Sequence, residues 1–190
     1  MHSDARGCSR ACEFGLCEFA HLKRLASRVR NRRRWVSAHR VRGSGIIGIA
    51  INPKANAMPQ ATGTFEVKLA PQALANADAS PLMGRLSINK TFSGDLQATS
   101  QGEMLSAGTA VKGSAGYVAI ERVTGTLHGK SGSFVLQHSG TMNRGAPQLT
   151  VSVVPDSGTD ELTGLIGTLS IQIADGRHSY VMDYEIARQG

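Results

Sequence analysis

Five residues whose side-chain types can act in catalysis or ligand binding lie among apolar neighbours in the second half of the chain: Glu103, Tyr117, Glu121, His138 and Tyr180. A carboxyl group buried among apolar residues has a raised pKa and can transfer protons near neutral pH. Glu103 and Glu121 are therefore the candidate catalytic residues. A tyrosine or a histidine nearby could orient a carbonyl or an epoxide, so Tyr117, His138 and Tyr180 are the candidate ligand-binding residues.

The spacing of these residues relates them to the faces of predicted strands. Tyr117 and Glu121 are four residues apart and share one face, because strand side chains alternate. His138 shares its face with Phe134. Each residue also has a structural interpretation. A single histidine on an apolar face is commonly hydrogen-bonded core, Glu121 could pair with a Lys or Arg of a neighbouring strand, and Tyr180 could be a core or interface aromatic. The sequence leaves these alternatives open.

The sequence predicts neither a metal site nor a cofactor in this part of the chain. Its histidines have no metal-ligand spacing: His128, His138 and His178. The tripeptide Gly129-Lys130-Ser131 resembles part of a phosphate-binding loop, but such a loop opens a helix. Here the following "SFVLQH" has the composition of a strand. The Gly-rich stretch is therefore predicted to be a compact corner between strands 116–124 and 133–139.

Alternation of apolar and polar residues with a period of two dominates the chain from residue 61 onward. It is clearest in "TGTFEVKLA", "GRLSINK", "QLTVSVV", "GTLSIQIA" and "HSYVMDYEI". Each segment predicts a strand with one solvated face, and turn residues separate the segments. Short strands joined by tight turns predict an all-β domain over residues 58–190, either an antiparallel sandwich or a single closed barrel.

Residues 1–57 differ from the remainder in charge and composition. They carry 12 of the 21 Lys and Arg residues but only 3 of the 14 Asp and Glu residues. Without a sustained apolar face, the segment is predicted to be a disordered basic extension. A misassigned start codon ahead of Met58 would explain it. The alternative is a nucleic-acid-binding arm that stacks a base on Trp35, and without such an arm we expect no nucleic-acid partner.

The three cysteines also lie in this extension, so the predicted barrel depends on no disulfide. A metal site formed by Cys8, Cys12, Cys17 and His21 would lack the usual Cys-x2-Cys spacing. The longest aliphatic run, residues 46–51, is too short to span a membrane and too short for a signal peptide. We therefore predict a cytoplasmic protein with no membrane association.

Three segments carry a resemblance to a known family: "ATGTFEVKLAPQ", "GEMLSAGTAVKGSAGYVAIERVTGTLHGKSGSFVLQHSGTM" and "LTVSVVPDSGTDELTGLIGTLSI". Over about residues 60–187 the chain resembles the bacterial domain-of-unknown-function family 3224. The resemblance implies an eight-stranded antiparallel barrel similar to plant allene oxide cyclase and the dirigent proteins, and it implies a homo-oligomer. It implies no activity. Allene oxide cyclase is an isomerase that acts on a fatty-acid epoxide, and none of its catalytic residues matches a residue here.

Three functional hypotheses follow for a small barrel of this kind, and whether the protein is an enzyme is left open. The first is that the barrel binds a small apolar molecule through a few polar anchors. The second is a cofactor-independent isomerase or cyclase that uses a buried Glu with Tyr or His. The third is a structural or oligomeric protein whose core is filled.

Overall fold

The computed structural model describes residues 58–76 and 82–187, which form a closed barrel of eight antiparallel strands in chain order. The strands are β1 Gln60–Gln72, β2 Met83–Gly94, β3 Leu96–Gly108, β4 Ala115–Leu127, β5 Lys130–Asn143, β6 Ala146–Val153, β7 Leu165–Ala174 and β8 Arg177–Ile186. A short 3₁₀ helix, Asp160–Leu162, precedes β7. The prediction of a single all-β antiparallel barrel is confirmed. The predictions for residues 1–57 lie outside the described residues.

The corner between β4 and β5 is tighter than the sequence suggested. The two strands extend to Leu127 and from Lys130, so only His128 and Gly129 remain between them. Both have positive φ angles, 46° and 79°, as a two-residue hairpin turn with the right-handed twist of its strands requires. The Gly-rich stretch is therefore a hairpin, as predicted, and its strands are several residues longer than predicted.

The interior is divided along the barrel axis into a larger and a smaller apolar cluster. The end that holds the β4–β5 turn is called the closed end, because Leu96, Leu127, Leu162 and Leu165 fill it and are almost fully buried. The opposite end is called the open end. Near it the core is reduced to a small cluster of Ile88, Met104 and Ala119, against which half-buried residues pack: Val67, Leu86 and Tyr117.

One seam of the barrel is held much more weakly than the others. Strands β6 and β7 pair only at Ser152 and Thr168, whereas every other neighbouring pair is in register over at least six residues. Residues 146–151 and 169–174 therefore lack pairing with each other on the open-end side of this single pair. Among the described residues, no helix is long and apolar enough to cross a membrane.

Candidate functional site

A layer of four polar residues separates the two apolar clusters inside the barrel. Strands β2 to β5 contribute one inward-facing residue each: Lys90, Ser100, Glu121 and His138. All four are buried, and each is followed or preceded two positions away by buried apolar residues of its own strand. The period-two pattern therefore positions this polar layer in the same way as it positions the core.

Glu121 is the centre of the polar layer. Its Oε1 accepts a hydrogen bond from Lys90 Nζ at 2.5 Å and lies 2.8 Å from His138 Nε2. Its Oε2 accepts a hydrogen bond from Ser100 Oγ at 2.6 Å. Because an ionised carboxylate can only accept, His138 Nε2 is the donor in its bond to Glu121. Both oxygens of the fully buried carboxylate are thus satisfied.

The protonation state of Glu121 follows from these contacts. Burial alone would raise its pKa, but the hydrogen bond from His138 and the charge of Lys90 outweigh burial and lower the pKa to about 2. The expectation of a raised pKa was wrong, because it assumed an apolar pocket without a cation. Glu121 is a permanent carboxylate near neutral pH, so it anchors the layer and holds no proton to donate.

The structural interpretation of Glu121 was an ion pair with a Lys or Arg of a neighbouring strand, and the structure agrees with it only in part. Glu121 does pair with a lysine, but Lys90 lies on β2, which is separated from β4 by β3. Gly102 of β3 is the register partner of Glu121. A Cβ at this glycine would lie 2.6 Å from the Cα of Glu121. The absence of a Cβ therefore lets β3 and β4 approach closely at this point.

Two aromatic rings lie close to the ammonium group of Lys90. Its Nζ lies 5.2 Å from the ring centroid of Phe65 and 5.9 Å from that of Phe92, which are cation–π distances. An ammonium group has three hydrogen-bond donors. Among the described residues, Glu121 is its only hydrogen-bond acceptor.

His178 also lies in this region, although the sequence predicts no catalytic or binding role for it. It lies on β8, in register with Phe65 of β1, and the two ring centroids are 5.0 Å apart. Burial and the charge of Lys90 lower its pKa, so the imidazole is neutral near pH 7. Its shared strand face with Tyr180 and Met182 was a signal that could have identified it from the sequence.

The predicted candidates Tyr117, Glu121 and His138 lie in one region of the interior. Tyr117 is half-buried on the open-end side of Glu121, and burial together with the Glu121 charge raises its pKa to about 12. Its ring packs over Gly140 of β5, its register partner. Tyr117 therefore stays protonated and forms part of the wall near the polar layer.

Two other candidates are not part of this region. Glu103 faces outward, and its pKa is lowered by a bidentate ion pair with Arg85, with Nε–Oε2 and Nη2–Oε1 distances of 2.9 and 2.5 Å. Tyr180 lies in the larger cluster, where its hydroxyl accepts a 2.9 Å hydrogen bond from the Leu96 amide. The structure thus favours an outer ion pair for Glu103 and core packing for Tyr180.

A second feature lies on the outer surface of the barrel. A groove of about 680 Å³ is lined in part by the exposed side chains of Met83, Leu105, Val118 and Ile120. These four residues alternate with the inward-facing ones, but the groove is also lined by Ala119 and His138 of the interior and by the Arg85–Glu103 ion pair. Within residues 58–76 and 82–187, no group of three or more His, Cys, Asp or Glu could hold a metal ion.

The fold and its interior define a small closed antiparallel β-barrel with a buried ionic layer. The profile of the family described as "Protein of unknown function (DUF3224)" matches residues 61–184, so this chain belongs to the DUF3224 family, as the sequence resemblance predicted. It is similar to a crystal structure of a DUF3224 protein of unknown function from Shewanella oneidensis MR-1. The sequences are 52% identical and the TM-score is 0.66, over 70% of this chain and 99% of the other. A search of curated proteins gave no match.

Proposed function

We propose that this protein binds a small apolar molecule at the open end of the barrel. The observation behind the proposal is a set of inward-facing apolar residues on the open-end side of the polar layer that are only partly buried or exposed: Leu69, Leu86 and Leu149. Strand alternation directs Leu69 and Leu149 inward, yet they are 44% and 40% exposed. Covering such side chains stabilises a complex by about 25 cal/mol per Å² of apolar surface buried.

The sparse pairing between β6 and β7 also supports the open end as the location of the binding site. Leu149 lies on the part of β6 that has no pairing with β7. A molecule could therefore reach the interior from the side without breaking a ladder of backbone hydrogen bonds. The closed end offers no comparable access, because the leucines that fill it are almost fully buried.

A fluorescence titration of the full chain with N-phenyl-1-naphthylamine, a neutral apolar probe, tests the proposal. Replacement Leu149→Lys adds a charge at the open end and should weaken probe binding at least tenfold. The matched control, Ile120→Lys, alters a similarly exposed residue of the outer groove and should leave the affinity unchanged. Loss of binding only in Ile120→Lys would move the site to the outer groove and overturn the proposal.

The hypothesis of a cofactor-independent isomerase or cyclase remains a prediction, but fewer groups of the barrel can act in its catalysis. A permanent carboxylate at Glu121 cannot act as an acid, and its oxygens are already engaged by Lys90, Ser100 and His138. Turnover would therefore have to use other groups of the layer. The cytoplasmic location and the homo-oligomer also remain predictions.

A further inference from the structure

The ammonium group of Lys90 has hydrogen-bonding capacity that the described protein residues leave unused. Glu121 accepts a hydrogen bond from one of the three N–H groups. The two neighbouring aromatic rings make cation–π contacts through their faces and accept no conventional hydrogen bond. Lys90 is 8% exposed, so little bulk water reaches it. A buried donor without an acceptor costs free energy, and more when it is charged. An additional oxygen acceptor beside Lys90 would remove this cost.

His178 provides a second unused polar group in the same region. Within residues 58–76 and 82–187, no hydrogen bond joins its ring nitrogens to another residue. Its ring contacts the same Phe65 ring as Lys90 does. A neutral imidazole has one donor and one acceptor nitrogen, so it can bind a carbonyl or a hydroxyl group.

The charge of the layer restricts the chemistry of the acceptor. Lys90 and Glu121 carry opposite charges in direct contact, so the pair has no net charge to offer a ligand. A ligand carboxylate would bring an uncompensated negative charge next to the buried Glu121, at a large desolvation cost. A neutral carbonyl oxygen can accept from Lys90 without that cost.

We propose that Lys90 and His178 form the polar anchor for the ligand of the open end, and that this ligand is a neutral apolar molecule with a carbonyl group. Its carbonyl oxygen accepts a hydrogen bond from Lys90 Nζ, and its polar end contacts the His178 imidazole. Its hydrocarbon part lies among the apolar residues of the open end. This inference rests on the proposed function and assigns the substrate class of the same site.

Two probes of nearly equal shape test the inference on the full chain. They are 2-nonanone and 2-methylnon-1-ene, in which a methylene group replaces the carbonyl oxygen. The replacement His178→Phe keeps an aromatic ring against Phe65 but removes both nitrogens. We expect it to weaken 2-nonanone binding about tenfold, the equivalent of one hydrogen bond. Its effect on 2-methylnon-1-ene should be less than twofold.

Two further variants separate recognition from a general loss of structure. His178→Gln restores a hydrogen-bonding group and should recover part of the preference for the ketone. His128→Phe changes a histidine of the β4–β5 turn, which is hydrogen-bonded to Tyr184, and should affect neither probe. If His178→Phe weakened both probes equally, or neither, His178 would not be the anchor.

Lys90 is tested without altering it. In the His178→Phe variant, which has no imidazole donor, the carbonyl ¹³C resonance of 2-nonanone labelled at that carbon should move downfield on binding, relative to the ketone in hexane, as a hydrogen-bonded carbonyl does. An unshifted resonance would overturn the role of Lys90. If neither probe binds the unmodified protein, the proposed function itself fails. If both bind and the His178 variants do not discriminate, only the present inference fails.

Discussion

Glu121 accepts three hydrogen bonds inside the barrel, and without its charge Lys90 would be a buried cation with no counter-ion. We therefore expect Glu121→Gln to lower the free energy of unfolding at pH 7 by about 3–5 kcal/mol, as removal of one partner of a buried ion pair does. The measurement is denaturant unfolding of the full chain.

The control for this variant is Glu103→Gln on the outer surface. Glu103 also forms an ion pair, with Arg85, but solvent screens it, so its loss should cost far less. Equal losses for the two variants would show that the polar layer does not stabilise the barrel more than a surface pair does.

The low pKa of Glu121 also predicts how stability depends on pH. A carboxyl group whose pKa is lower in the folded than in the unfolded state stabilises the fold above its unfolded pKa. That contribution should be complete above about pH 4.5 and lost as the pH falls toward 2. It amounts to about 3 kcal/mol. Unfolding curves of the unmodified protein and Glu121→Gln, recorded between pH 6 and pH 2, should converge at low pH. Parallel pH profiles would contradict this assignment.

At the scale of the strands, glycines allow large side chains to fill the barrel. Tyr117 faces Gly140, and Tyr180 faces Gly63, on the neighbouring strand. A side chain at either glycine would collide with the tyrosine ring opposite it. These glycines lie within strands because the neighbouring tyrosine occupies the space of a side chain.

Gly102 allows a test of whether a strand glycine is required for close packing, because it lies against the backbone of Glu121. Gly102→Ala should destabilise the barrel by about 1–3 kcal/mol, the usual cost of overpacking, since strand β4 would have to move. Gly116→Ala is the matched control, because its nearest contact would be the Gly140 carbonyl oxygen at an ordinary 3.7 Å. Thermal unfolding of both variants measures the difference, and similar losses would refute the close approach at Gly102.

The strands could be predicted from the alternation of apolar and polar residues. The polar layer could be predicted only in part. Glu121 and His138 share their faces with buried apolar residues, so both were recognised as interior candidates. Lys90 has the same signal, between Ile88 and Phe92, but the alternating segment "GRLSINK" ends at Lys90, whereas β2 continues to Gly94. Its pairing with Glu121 across an intervening strand depends on the register, which a single sequence does not specify.

The outward position of Glu103 could not be predicted from the sequence, for a different physical reason. Both faces of β3 carry apolar side chains at this point, because Met104 is buried and Leu105 is exposed in the outer groove. Alternation therefore does not distinguish the inner from the outer face there. The outer apolar groove is thus the reason why the sequence alone could not assign Glu103 to the surface.

For the whole molecule, the outer groove is the surface on which the predicted homo-oligomer can be tested. Native mass spectrometry of the full chain should give a multiple of the protomer mass. Ile120→Lys should shift the distribution toward the protomer if the groove is the interface. A protomer alone at micromolar concentration would contradict the oligomer.

We propose that the open end, and not the outer groove, receives a small apolar molecule. Intermolecular nuclear Overhauser effects between methyl-labelled protein and N-phenyl-1-naphthylamine test it most directly. We expect contacts to the methyl groups of Leu86, Ile88 and Leu149. Contacts confined to Leu105 and Ile120 would contradict it.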